Sequence, residues 1–137
     1  MALVRPLITH VSRPFWNALD QGRIELQQCE RCAQWVFYPR VLCPHCGSTA
    51  LAWKHVSGHA TLYTFTLAMT PVSIDFVDDA PLLLAVAELA EGVRIPTTLV
   101  QIAPEAVVIG MALEPVFDRT RLGDMTLLRF KPSLAGG

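Results

Sequence analysis

Two Cys-x-x-Cys pairs, a run of short alternating strands after Gly58 and a single helical stretch near the N-terminus predict a mainly β fold. The expected order is a short N-terminal helix, a rubredoxin-like zinc ribbon and a five-stranded OB-fold barrel, with a small sandwich as the alternative for the last part. The corresponding boundaries are 1–23 for the helical segment, 24–55 for the ribbon, 56–132 for the barrel and 133–137 for a tail. A chain of 137 residues, 52% apolar, can bury a genuine core while leaving apolar surface for a partner to cover.

Ser12-Arg13-Pro14 reads as a helix start, with Ser12 as the cap and Pro14 in the first turn. Phe15, Trp16 and Leu19 then share one face, and Gly22 supplies the stop. Ile24–Gln28, Trp35–Tyr38 and Ala50–Val56 are three short strand candidates, joined by the two cysteine-bearing turns. From His59 to Met69, Leu62, Thr64 and Thr66 alternate with Tyr63, Phe65 and Leu67, which predicts a long strand. Thr70–Pro81 reads as a loop carrying Asp75, Asp78 and Asp79. Leu82–Leu89 is nearly continuous apolar sequence, the pattern of a strand buried on both faces. Glu91-Gly92 turns the chain into Val93–Ile102, where Pro96 marks a bulge or an edge. A helical turn at Ala103-Pro104-Glu105 and strands at Leu113–Asp118 and Met125–Phe130 complete the barrel.

The chemistry is concentrated in Cys29-x-x-Cys32, ten residues, and Cys43-x-x-Cys46. Two residues between cysteines let both sulfurs turn toward one ion, and two such knuckles offer four thiolates to a tetrahedral Zn²⁺. Iron suits the same donors; two disulfides would need an oxidising compartment, and a redox pair would need only one Cys-x-x-Cys. Four thiolates fill the coordination sphere, so the expected zinc is structural and its role is to fold a module too small to fold alone. His10, His45, His55 and His59 are scattered, no His-x-Glu or Gly-x-Ser-x-Gly occurs, and no spare cysteine remains. No catalytic residue is therefore assigned.

The formal charge is +3 over residues 1–55, from six Lys/Arg and three Asp/Glu, and −4 over 56–137, from five and nine. An acidic barrel half argues against the other reading of a ribbon joined to an OB barrel, that of a single-stranded nucleic-acid binder. The N-terminus shows no secretory pattern, and no apolar run is long enough to span a bilayer, so a cytoplasmic protein with reduced thiols is expected.

An ordered set of segments resembles the acyl-CoA-associated DUF35 family. These are Pro14–Leu19, Gly22-Arg23-Ile24, Leu26–Cys29, Phe37-Tyr38-Pro39-Arg40, Cys43–Ser48, Val56-Ser57-Gly58, Leu62–Thr66 and Val108-Ile109-Gly110-Met111. The resemblance extends over residues 13–132; it departs at Ala33 and Ala60, where glycine is usual. It implies a non-catalytic accessory or scaffold subunit of a thiolase-like enzyme, or of a related aldolase or hydratase, in a hetero-oligomer that handles acyl-CoA. Arg31 and Arg40 are then candidates for the CoA phosphates, the competing reading being solvated or internally paired arginines. Phe15, Trp16, Trp35 and Phe37 are candidates for partner anchors, the competing reading being caps on the ribbon and barrel cores.

Overall fold

The computed structural model describes residues 8–68, 82–119 and 126–133. The expected loop with Asp75, Asp78 and Asp79 lies outside the described residues. Helix α1 (Arg13–Asp20) buries Phe15, Trp16, Ala18 and Leu19 on one face. Ser12 occupies the cap position but does not cap. Its hydroxyl, buried with the residue, accepts from the Thr9 amide at 2.9 Å, and Thr9 Oγ1 in turn accepts from the Ser12 amide at 3.1 Å. The pair closes a turn before the helix and keeps the Ser12 hydroxyl off the first helical amides, while the Ser12 carbonyl accepts from the Phe15 and Trp16 amides at 3.1 and 3.3 Å. At the other end Gly22 adopts φ +75°, and the Gly22 and Arg23 amides donate to the carbonyls of Leu19 and Ala18. This is a Schellman stop, which requires the left-handed backbone that glycine adopts without strain.

The ribbon is a three-stranded antiparallel sheet in the order β2-β1-β3, with β1 at Ile24–Cys29, β2 at Trp35–Val36 and β3 at Leu51–Val56. Strand β1 pairs along its full length with β3, from Ile24↔Val56 to Cys29↔Leu51. Strand β2 is shorter than its sequence suggested because the chain leaves the sheet at Phe37. The barrel is closed in the order β4-β5-β6-β8-β7. Its strands are β4 (Ala60–Ala68), β5 (Leu82–Leu89), β6 (Arg94–Leu99), β7 (Ala112–Asp118) and β8 (Leu127–Pro132), with a 3-10 turn at Pro104–Ala106. Closure is tightest along β4-β5-β6 and β7-β8 and rests on short pairings at β6-β8 and β4-β7.

Two barrel strands differ from their sequence reading for physical reasons. Simple alternation sets Leu62 on the face opposite Phe65 and Leu67. A register shift between Leu62 and Thr64 inserts Tyr63 as an extra residue, so Leu62 is buried and Phe65 and Leu67 also pack on the core. Strand β5 is buried on one face only. Leu83, Ala85, Ala87 and Leu89 point inward, while Leu84, Val86 and Glu88 are half-buried on the outside. A closed barrel hides its interior face, and apolar character on its outer face is left for other surfaces to cover. Pro96 marks no bulge: β5 and β6 run in register from Leu83↔Leu99 to Glu88↔Arg94. The edge reading fits better, since β6 meets β8 only at Leu99↔Phe130.

One core unites the ribbon with the barrel. Phe15, Trp16 and Leu19 of α1, Ile24 and Leu26 of β1, and Val56 of β3 belong to the same buried cluster as Leu62, Leu113 and Phe130. The junction turns at Gly58 (φ +87°), which lies against Pro115 of β7 and Ile24. A second tie joins the helix end to β8, through Thr126 Oγ1 donating to Asp20 Oδ1 at 2.7 Å. Arg129 is buried where β6, β8 and β7 meet, donating to Asp118 at 2.9 Å and to Thr98 at 2.7 Å. Among the described residues no helix is long and apolar enough to cross a membrane.

Candidate functional site

The four cysteines come together at the end of the ribbon farthest along β1. Their sulfurs all lie within 4.8 Å of one another, the single such metal-competent group among the described residues. Cys29 Sγ is 3.6 Å from Cys46 Sγ, and Cys32 Sγ is 3.6 Å from Cys43 Sγ. Four sulfurs around a zinc ion at about 2.3 Å are separated by about 3.8 Å, so the cage already has the dimensions of a tetrahedral thiolate site. The cysteines are free, at separations far above the ~2.05 Å of a disulfide. The donor set therefore fits one zinc ion held by Cys29, Cys32, Cys43 and Cys46, with no protein position left open for a substrate.

The two knuckles are built alike. Each first cysteine accepts a backbone hydrogen bond from the residue four positions on, Ala33 to Cys29 and Gly47 to Cys43, both at 2.8 Å. Those closing residues are left-handed, Ala33 at φ +65° and Gly47 at φ +78°. Backbone amides also point at sulfur, Cys32 N at Cys29 (3.5 Å) and His45 N at Cys43 (3.4 Å). Ala33 thus keeps the geometry that glycine would supply, at the strain a Cβ imposes there. Ala33→Gly is expected to raise the stability of the metal-loaded protein by about 0.5–1 kcal/mol, and Gly47→Ala to lower it by about 1 kcal/mol, in paired thermal melts. The other departure, Ala60, is a buried strand residue pairing with both Leu89 and Leu113, and it needs no special backbone.

Without a metal the sulfurs are electrostatically unequal. The Cys32 amide, chiefly, lowers the Cys29 thiol to about 6 against the pull of burial. At Cys32 the Gln34 backbone works to lower the thiol, but burial and the neighbouring sulfurs outweigh it and push it up to about 12. The Cys29 thiol is thus the easier of the two to ionise, and the Cys32 proton, held on by burial and the neighbouring sulfurs, must leave for an ion to bind. Metal affinity is therefore expected to rise with pH, by at least about tenfold per unit near neutrality, in competition with a chromophoric chelator. A pH-independent affinity would contradict this charge arrangement.

Phe15 and Trp16 are buried within the chain, so their rings are spent on the core and on an internal aromatic cluster rather than on exposed anchoring. Phe15 meets Trp16 edge-on at 5.1 Å and Phe37 at 5.6 Å, and Trp16 Nε1 donates to Tyr38 Oη at 2.8 Å. Trp35 and Phe37 are half-buried against the same core. Arg31 and Arg40 are both exposed. Arg40 lines a cleft between ribbon and barrel that Arg31 does not line. The Arg40 backbone is fixed by Gln27, whose buried side-chain amide donates to the Arg40 carbonyl at 2.9 Å and accepts from its amide at 2.8 Å. The exposed large apolar side chains are different ones: Tyr38, Val41 and Leu42 after β2, Tyr63 on the bulge, and Val108 and Ile109 before β7. No local signal in the sequence marks them as exposed, because apolar identity alone does not say which side of a loop or bulge faces solvent.

Comparison with known proteins bears on the whole chain. A family model described as the rubredoxin-like zinc ribbon domain of ChsH2 matches residues 16–52, and one described as the C-terminal OB-fold domain of ChsH2 matches residues 53–118. A DUF35 domain-containing scaffold protein of Methanothermobacter thermautotrophicus is 32% identical over 84% of this chain and 86% of its own length. A probable enoyl-CoA hydratase alpha subunit of Thermomonospora curvata is 33% identical over 95% of this chain, which spans only 40% of that protein. A chain of the solved Ltp2-ChsH2(DUF35) aldolase superposes with a TM-score of 0.82 at 32% identity, over 93% of this chain and 98% of that one.

Proposed function

The chain belongs to the DUF35 family, with the zinc ribbon and OB-fold of the ChsH2 type, and from that membership we propose that it is a non-catalytic accessory subunit of a thiolase-like enzyme acting on acyl-CoA. The observation that carries the proposal is the near-complete superposition on a chain of the Ltp2-ChsH2(DUF35) aldolase. The names of the relatives, a scaffold protein and a hydratase subunit, support the same role. The metal cage supports it from the chemical side. Four thiolates complete a tetrahedron, so the ion stiffens the ribbon and the reacting groups belong to the partner. A reducing cytoplasm suits that cage.

In this reading the chain is one component of a hetero-oligomer whose partner makes or breaks a carbon–carbon bond, or transfers an acyl group. Val41 and Leu42 on the ribbon, with Val108 and Ile109 on the barrel, offer apolar surface for docking. Arg40, with its backbone fixed by Gln27, is the better placed of the two arginines to meet a CoA phosphate. Co-expression with a thiolase-fold enzyme encoded beside this chain tests the proposal. A stable complex is expected, together with loss of enzyme activity or solubility when this chain is omitted. An enzyme fully active and soluble alone, forming no complex at about 10 μM of each component, would sink it. Single-stranded oligonucleotides are expected not to bind even at low salt.

A further inference from the structure

A cleft of about 460 Å³ separates the metal end of the ribbon from the β5–β6 turn of the barrel. The ribbon wall brings Trp35, Phe37, Arg40 and His45, and the barrel wall brings Glu91 and Arg94. Glu91 Oε1 is buried and has no hydrogen-bond partner among the described residues. A buried acceptor left in that state is costly, and a ligand bearing an N–H donor relieves it. The cations on the walls are not equivalent. Arg94 is engaged by Glu88 at 3.1 Å and lies over the Tyr63 ring at 3.9 Å. Arg40 is exposed, and its guanidinium has no carboxylate partner among the described residues.

One cleft thus presents an acceptor seeking a donor, a cation seeking an anion, and the aromatic side chains of Trp35 and Phe37 in its lining. We propose that this cleft is an adenosine-phosphate site, in which the adenine amine donates to Glu91, the base lies against Trp35, and Arg40 with His45 meets phosphate. An uncharged heteroaromatic amine suits Glu91 because a phosphate would be repelled by it, whereas the Arg40 guanidinium supplies only donors and a positive charge. The volume is that of an ordinary small-ligand cleft. The choice of CoA as the source of that nucleotide rests on the acyl-CoA reading above; the site chemistry itself does not.

The test is calorimetric titration of the full chain, metal-loaded, with CoA, adenosine 3′,5′-bisphosphate, inosine 3′,5′-bisphosphate, AMP and pantetheine. CoA and adenosine 3′,5′-bisphosphate are expected to bind and pantetheine is not. Arg40→Ala should weaken both about tenfold or more, without altering metal content or the melting temperature. The inosine compound, whose carbonyl would face the Glu91 carboxylate, should bind about tenfold more weakly, and Glu91→Ala should erase that discrimination. Tighter binding of the 3′,5′-bisphosphate than of AMP assigns the site to CoA; equal binding assigns it to a free adenine nucleotide, and either keeps the site. No binding of any nucleotide at about 10 mM would overturn it, as would unchanged affinity in Arg40→Ala, equal binding of the inosine compound or binding of pantetheine alone. Complex formation with the partner enzyme is read separately, so loss of this site leaves the accessory role standing, and the reverse also holds.

Discussion

Cys43→Ser is expected to abolish metal binding and unfold the ribbon. Cys43 is buried at the ribbon's second small core, with Cys29 and Val36, so serine there both weakens a ligand and places a hydroxyl among sulfurs and a valine. A structural zinc contributes on the order of 10 kcal/mol to a module of this size, comparable with the whole stability of a small domain. Elemental analysis should find one ion per chain in the parent and none in the variant, with amide signals of β1–β3 collapsing to unfolded positions. Because Ile24, Leu26 and Val56 also belong to the barrel's core cluster, the barrel should melt at a lower temperature as well. His45→Ala serves as the control: His45 is exposed in the same knuckle and is not among the four ligands, so the metal should stay. A Cys43→Ser protein with an intact ribbon would refute the structural role assigned to the ion.

Gly58→Ala should be the most damaging single change away from the metal. A Cβ at that position would stand 2.8 Å from Pro115 Cγ and 3.0 Å from Ile24 Cδ1, and the backbone there is at φ +87°. The unfavourable backbone and the forced shift of Pro115 add, for an expected loss of about 2–4 kcal/mol. Gly22→Ala separates the two contributions, since Gly22 has φ +75° but nothing within 4 Å of its Cβ. It should cost only about 1 kcal/mol. Equal losses in chemical denaturation of the two variants would mean that the contact with Pro115 and Ile24 carries no weight.

The metal cage was the most legible feature in the sequence, because the chemistry of four thiolates depends on residue type and short spacing alone. The barrel was legible as five strands because turns and alternation are local signals. Which side each residue faces was less so. Tyr63 looks like one more alternating residue until the partner strand shows that it has no opposite number, and a bulge is a property of two strands. Leu84 and Val86 are as apolar as buried residues and sit outside, since barrel closure decides which face is hidden. Ser12 had the right identity for a cap, but Thr9 offered its hydroxyl a different partner. The cleft was invisible for another reason: Arg40 and Glu91 are far apart in the chain, and only packing of ribbon against barrel puts them on facing walls.

The side chain of Gln27 stands in for a peptide group, so the segment leaving β2 is gauged like a rung on a ladder although it forms no strand. The ten-residue spacer between the cysteine pairs is consequently not slack rope. Adding or deleting a residue there would still let four sulfurs find an ion, yet would offer Gln27 the wrong peptide. Spacer length in such chains is thereby tied to what the loop displays, independently of what the metal tolerates.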